Sequence, residues 1–151
     1  EFADDVSVAA AASTALIGDV IDLGGTTQDV GNGETIYLVL KTGSTEIITG
    51  GVAGTIQFFL VSDSLATLGA ATVASCTTHL TSSSLVTDDA GANSDALNAG
   101  GTIIVAALPI GDYERYLGVL CTIGTTTVTA GSINAFLTKD PSKWTALPDA
   151  I

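Results

Sequence analysis

The feature that most constrains this chain is its punctuation. Short runs of β-branched and aliphatic residues alternate with glycine-bearing turns from end to end. Residues 36–41 (IYLVLK), 55–61 (TIQFFLV), 102–107 (TIIVAA) and 115–123 (RYLGVLCTI) read as strands, because Val, Ile and Thr are stiff at χ1 and suit a pleated, half-buried surface. Gly24-Gly25, Asn32-Gly33, Gly50-Gly51 and Gly100-Gly101 interrupt them, and Asn-Gly is a strong turn signal. Further strands are expected at 15–23 with a kink at Gly18, at 72–77, 126–130 and 133–138, and at 45–49 as a short edge. The stretch 62–71 is mixed and has room for a helical turn. Residues 26–35 and 81–95 read as loops and 108–114 as a corner. Residues 1–8 read as an extended arm, with 6–12 (VSVAAAA) as its continuation or as a first strand, and 139–151 as an extended tail. The sum is about eight strands at sandwich spacing. The long connections favour crossing between sheets over hairpins. The expectation is one all-β domain over residues 1–151, a jelly-roll or Greek-key β-sandwich.

Composition narrows the function classes. The chain has 151 residues, enough to bury a core without staples. Sixteen acidic residues against four basic ones give a net charge of −12, which argues against binding nucleic acid or anionic lipid through bulk charge. Only 13% of residues are charged while 46% are hydrophobic, so the chain is not an acidic disordered one. A surface coated with Thr, Ser and Ala is cheap to desolvate against another protein. No run of eighteen apolar residues is present, so no membrane span is expected. Asp4 and Asp5 stand where a secretion signal would carry positive charge, which leads to the expectation of synthesis in the cytoplasm. Cys76 and Cys121 lie 45 residues apart without metal-type neighbours and read as buried thiols in strands; a disulfide needs both to fall side by side.

Tests for chemistry return little. His79 is the sole histidine, so any nucleophile–His site must pass through it, and zinc could draw only on His79, Cys76 and Cys121 for nitrogen or sulfur. The run from Asp88 through Asp89 and Asn93 to Asp95 opens like a calcium loop. The EF pattern ends on a bidentate Glu at its twelfth position, where this chain has Ala99; a solvated turn is the simpler reading. Asp112 and Glu114 flank a corner beside Arg115 and read as a local ion pair or turn hydrogen bond. Arg115 itself reads as a structural corner, with an intersubunit contact as the sharper alternative. Gly31-Asn32-Gly33 lacks the Lys-Ser/Thr and helix of a phosphate loop. No catalytic residue, cofactor or metal is expected, and no enzymatic activity.

One ordered set of segments says more. It starts with Phe2-Ala3-Asp4-Asp5-Val6-Ser7-Val8, Ser13-Thr14, Val20-Ile21-Asp22-Leu23-Gly24, Asp29-Val30-Gly31, Gly33-Glu34 and the run from Ile36 to Leu40. It continues with Leu97-Asn98-Ala99-Gly100, Leu108-Pro109, Glu114-Arg115-Tyr116-Leu117 and Thr129-Ala130-Gly131-Ser132-Ile133-Asn134-Ala135. In order and spacing these resemble the capsid cement (decoration) proteins of tailed phages, a family with a member in a Bordetella phage. The resemblance implies a jelly roll that binds the outer surface of an icosahedral shell of phage major capsid protein. It implies a small homo-oligomer, dimer or trimer, that clamps neighbouring capsomers and resides on the virion. Binding of nucleic acid or membrane is not implied. The residues expected at an interface are Phe2, Asp4, Asp5 and Val6 of the arm, Asp88, Asp89, Asn93 and Asp95 of the polar loop, and Trp144, since Trp is enriched at interface hot spots. Asp22-Leu23-Gly24 and Glu114-Arg115-Tyr116 are expected to determine the fold. The alternatives are a carbohydrate-binding jelly-roll module, which would need an exposed aromatic platform from only eight aromatic residues, and a fibre-type subunit joined by strand addition.

Overall fold

The computed structural model describes residues 1–88 and 93–143. It is an all-β sandwich of two antiparallel sheets. The strands are β1 (Ala3–Ser7), β2 (Thr14–Val30), β3 (Tyr37–Thr42), β4 (Gly54–Asp63), β5 (Thr77–Thr81), β6 (Leu85–Thr87), β7 (Thr102–Ala107), β8 (Gly111–Gly124) and β9 (Ser132–Thr138). One sheet has the order β1-β9-β3-β7 and the other β2-β8-β4-β5, with β6 also on β4. The pairing runs outside in: β1 with β9, β2 with β8, β3 with β7, β4 with β5. That is a jelly roll, a long antiparallel ribbon wrapped so that β1 to β4 and again β7 to β9 alternate between the two sheets. The expected crossing connections have this cause.

The core follows from alternation. On β4, Ile56, Phe58 and Leu60 are fully buried and point between the sheets with Leu38, Leu40, Leu117, Val119 and Ile133. The opposite face of the same strand is covered too. Residues 64–76, with the one-turn helix α1 (Leu68–Ala71), fold over it and form a second cluster of Val61, Leu68 and Leu120 with Phe59, Val73 and Tyr116 at its margin.

Several boundaries differ from the sequence expectation. The loop expected at 26–35 is strand up to Val30, and the corner at 108–114 is strand from Gly111, because the two segments pair with each other, Thr27 with Glu114 through Val30 with Gly111. Neither has apolar alternation of its own. The expected strands 45–49 and 126–130 are irregular backbone held by single bridges, Ile48 with Ala130 and Val128 with Ala10. Their apolar residues are still core: Ile47 and Val128 are buried. Val73–Ser75 is a 3-10 turn where a strand was expected, because Val73 serves the outer cluster. The polar stretch 81–95 contains β6, and a further 3-10 turn, Asp95–Leu97, buries Leu97. In the tail, Pro141–Lys143 is another 3-10 turn, and residues 144–151 lie outside the described residues.

Of the two readings for the start of the chain, extended arm or first strand, the structure has the strand, at the edge of a sheet and beginning earlier than residue 6. β1 pairs with β9, and Phe2 and Val8 are buried. Gly18 makes this fit: the Asp19 N–H donates to the Phe2 carbonyl at 2.7 Å. A Cβ on Gly18 would run into that same carbonyl, and its φ of +64° is left-handed. Replacing Gly18 by Ala is therefore expected to cost more than the roughly 1–2 kcal/mol of a left-handed non-glycine residue, since β1 must also shift. A lowered urea midpoint with an unchanged m-value would show it; an unchanged midpoint would refute it.

Candidate interaction surface

Two of the segments expected at an interface, the start of the chain at Asp5 and the polar loop at Asn93, are brought by the fold to one turn. Between Ala3 and Val6, β1 slips by a residue against β9. Asp5 sits in this bulge with φ of +49°, a conformation Asp tolerates better than most residues. The bulge aims its carboxylate at the turn after β3. Its Oδ1 accepts the Ser44 N–H at 2.8 Å and the Ser132 hydroxyl at 2.5 Å, and its Oδ2 accepts the Ser44 hydroxyl at 2.6 Å. Its own N–H donates to Asn134 Oδ1 at 2.6 Å. A Cβ at Gly43 would occupy the space of this carboxylate and of the Ser132 hydroxyl. Two residues along the same turn, Glu46 Oε1 accepts the Asn93 side-chain amide at 2.8 Å, while Asn93 Oδ1 accepts the Asp88 N–H at 2.5 Å. The start of the chain and the polar loop thus meet on either side of residues 43–46.

Within that region the candidates divide. Asp4, Asp5 and Asp95 are exposed, and Val6, Asp88 and Asn93 are half-buried. Phe2 is 1% exposed and packs in the chain's own core, which removes it from any surface. Asp89 and Trp144 lie outside the described residues. The side-chain oxygen and nitrogen of Asn93 are both spent on protein partners, and no group of three His, Cys, Asp or Glu able to hold a metal ion occurs among the described residues.

Other residues singled out in the sequence find partners or places that local sequence does not signal. His79 Nε2 lies 2.7 Å from Ser62 Oγ, which also accepts the Glu114 N–H at 3.1 Å. The imidazole stacks on Tyr113 with ring centroids 3.8 Å apart, and the Tyr113 hydroxyl donates to the Pro109 carbonyl at 2.8 Å. Ser62 is fully buried, so no substrate carbonyl can approach it, and the pair locks β4 to β5 and β8. Desolvation lowers the His79 pKa and pushes the Tyr113 pKa up to about 12. Next, Arg115 does not pair with its neighbours Asp112 and Glu114. Its Nε and Nη2 donate to Asp22 Oδ1 and Oδ2 at 2.9 and 2.8 Å, and its guanidinium lies 5.0 Å over the Tyr116 ring. The Asp22-Leu23-Gly24 and Glu114-Arg115-Tyr116 segments are thereby joined, and the Arg115 bond holds the Asp22 carboxyl down at about 2. Glu114 accepts the Thr77 hydroxyl instead. Finally, both thiols are free and on opposite faces of one sheet, Cys121 in the main core and Cys76 half-buried at the outer cluster rather than in a strand.

Two outcomes follow. The hydrogen bonds from Ser132 and then Ser44 hold the Asp5 carboxyl below its ordinary 3.8. A depressed carboxyl pKa adds stability that is fully present above the unfolded value and is lost as pH falls through the folded one. Asp5→Asn is thus expected to destabilise the chain by roughly 1 kcal/mol at neutral pH, solvent screening included, and to flatten the loss of stability below about pH 4. Unfolding curves from pH 2 to 7 check both, and parallel curves for variant and wild type would contradict them. For the thiols, a disulfide reagent is expected to modify Cys76 in the native state and Cys121 only after unfolding, since burial pushes the Cys121 thiol up to about 12. Equal rates at both would contradict the placement.

Comparison with known proteins returns one relationship. No curated protein matches the chain. The family profile described as Bbp16 matches residues 2–137, nearly the whole sandwich from the buried Phe2 to the end of β9. The chain belongs to the Bbp16 family, a phage protein family, and this membership is consistent with a phage structural protein.

Proposed function

We propose that the chain is a capsid cement protein. It binds the outside of an icosahedral tailed-phage shell and strengthens contacts between capsomers of the major capsid protein. The observation that carries this reading is membership of the Bbp16 family over the whole jelly roll. The surface agrees with it. Val52, Leu65, Val105 and Ile110 are at least half exposed, and only 13% of the chain is charged, so large areas can be buried at low desolvation cost. Cementing needs no strong single contact. A protein that binds assembled shell and not free subunits stabilises the shell by mass action, summed over many symmetric copies.

A second reading, a fibre-type subunit, has one observation in its favour. β7 pairs only with β3 among the described residues and carries no charge, and an uncharged open edge invites strand addition.

Light scattering coupled to size exclusion separates the two. The purified chain is expected to run as a discrete dimer or trimer, to move into the shell peak when matching empty capsids are added, and to raise the temperature at which those shells come apart. A protein that keeps its own elution volume beside capsids overturns the cement reading, and a concentration-dependent ladder without capsids supports the fibre.

A further inference from the structure

Where β2 ends, the inner faces of the two sheets part and leave a groove of about 360 Å³. Leu23 and Val30 of β2, Ile36, Leu117 of β8 and Leu137 of β9 line it. Leu117 is buried, but the other four are half-buried and pack directly on the main core. The groove is therefore the core continued to the surface, and its apolar walls complement one aliphatic or aromatic side chain.

The lip of the groove sets the charge of the occupant. Asp29 lines it and stands directly across the strand pair from Asp112. Like charges in that position repel. Neither forms an ion pair among the described residues; Asp29 accepts only the Asn32 amide at 2.6 Å. Glu34, also at the lip, already holds the Lys139 ammonium at 2.7 Å with both side chains exposed, so this rim accepts cations. A second copy of the chain would bring another −12 of net charge to it, which argues for a basic partner.

We propose that this groove seats a basic segment of the shell protein, with one aliphatic or aromatic side chain between the sheets and a flanking Arg or Lys on Asp29 and Asp112. The identity of the partner rests on the cement reading; the chemistry of the segment rests on the groove alone.

The test uses the full chain, isotope-labelled, and three blocked peptides: Arg-Leu-Arg, Glu-Leu-Glu and Arg-Gly-Arg. Saturable shifts of the Val30, Gly31 and Ile36 amides are expected with Arg-Leu-Arg and not with the other two. An Asp29→Asn/Asp112→Asn variant, which loses a repulsion and so keeps its fold, is expected to bind that peptide at least threefold more weakly and to co-sediment less with empty shells. No saturable groove shift with Arg-Leu-Arg overturns the proposal, whatever the shells do. Equal shifts with Glu-Leu-Glu overturn its charge assignment, and equal shifts with Arg-Gly-Arg its apolar seat. Groove amides that move with protein concentration alone assign the groove to a second copy and overturn it as well. Peptide shifts beside a wild-type protein that ignores shells uphold the groove and sink the cement reading. Equal co-sedimentation of wild type and variant removes the groove as the shell contact.

Discussion

Closure of the ribbon by its two ends is the constraint on which the rest of this sandwich depends. β1, at the start of the described chain, must find β9 near its end before the four-stranded sheet has its outer edge. The same holds one layer in, where β2 must find β8 over the longest ladder in the molecule. Loop closure between such distant segments is entropically costly before any contact offsets it, so the fold belongs to the slow, non-local class. What offsets that cost is burial on both sides of the wrap. Phe2 anchors the first strand, Ile133 and Ala135 the last, and both sets enter one core with Leu40. The Asp5 bulge then fastens the closed edge to the turn after β3.

The charge imbalance is solved by hydroxyls. Sixteen acidic residues have only four basic ones to meet them, so most carboxylates cannot form ion pairs. Asp5 takes Ser44 and Ser132, Asp140 takes Ser142, and Glu114 takes Thr77. Asp22 and Glu34 receive cations. This gives the abundance of Ser and Thr a second physical role beside β propensity: short donors that satisfy an anion without adding a long charged side chain. It also explains how so acidic a chain keeps a low density of cations and still folds. Acids that meet neither a hydroxyl nor a cation among the described residues, as Asp29 with only the Asn32 amide and Asp112 across from it, are then the places where a cation from elsewhere would gain most.

Much of the architecture is legible in the sequence. Apolar alternation marked β3, β4, β7, the second half of β8 and β9 close to their observed limits, and the long connections signalled crossing between sheets. The failures share one cause. Residues 26–30 and 111–114 carry no apolar alternation, so their strand state comes wholly from pairing with each other across the chain. Conversely, 45–49 and 126–130 are rich in β-branched residues, yet their buried Ile47 and Val128 hang from irregular backbone. Periodicity reports which residues are buried more faithfully than it reports which backbone holds them. The interface candidates were less legible. Asp5 reads as a surface charge until a bulge and a left-handed φ turn it onto Ser44, and neither has a local sequence signal.

The half-buried His79 is tied into the sheet through the buried Ser62 and Tyr113. Here Nε2 is engaged by a serine with no exposed surface, the ring is covered by Tyr113, and desolvation drives its pKa downward. Each of these features holds β4, β5 and β8 in register at the centre of the larger sheet, where β8 meets β2 on its other side. The polar groups inside this sandwich therefore serve the wrap itself. What remains for recognition is the outside: the acid-lipped end of the core, the turn at residues 43–46 and the uncharged edge of β7. The cement reading proposed above requires a self-contained interior and a surface that loses little on burial against a partner, and this distribution of polar groups is compatible with both.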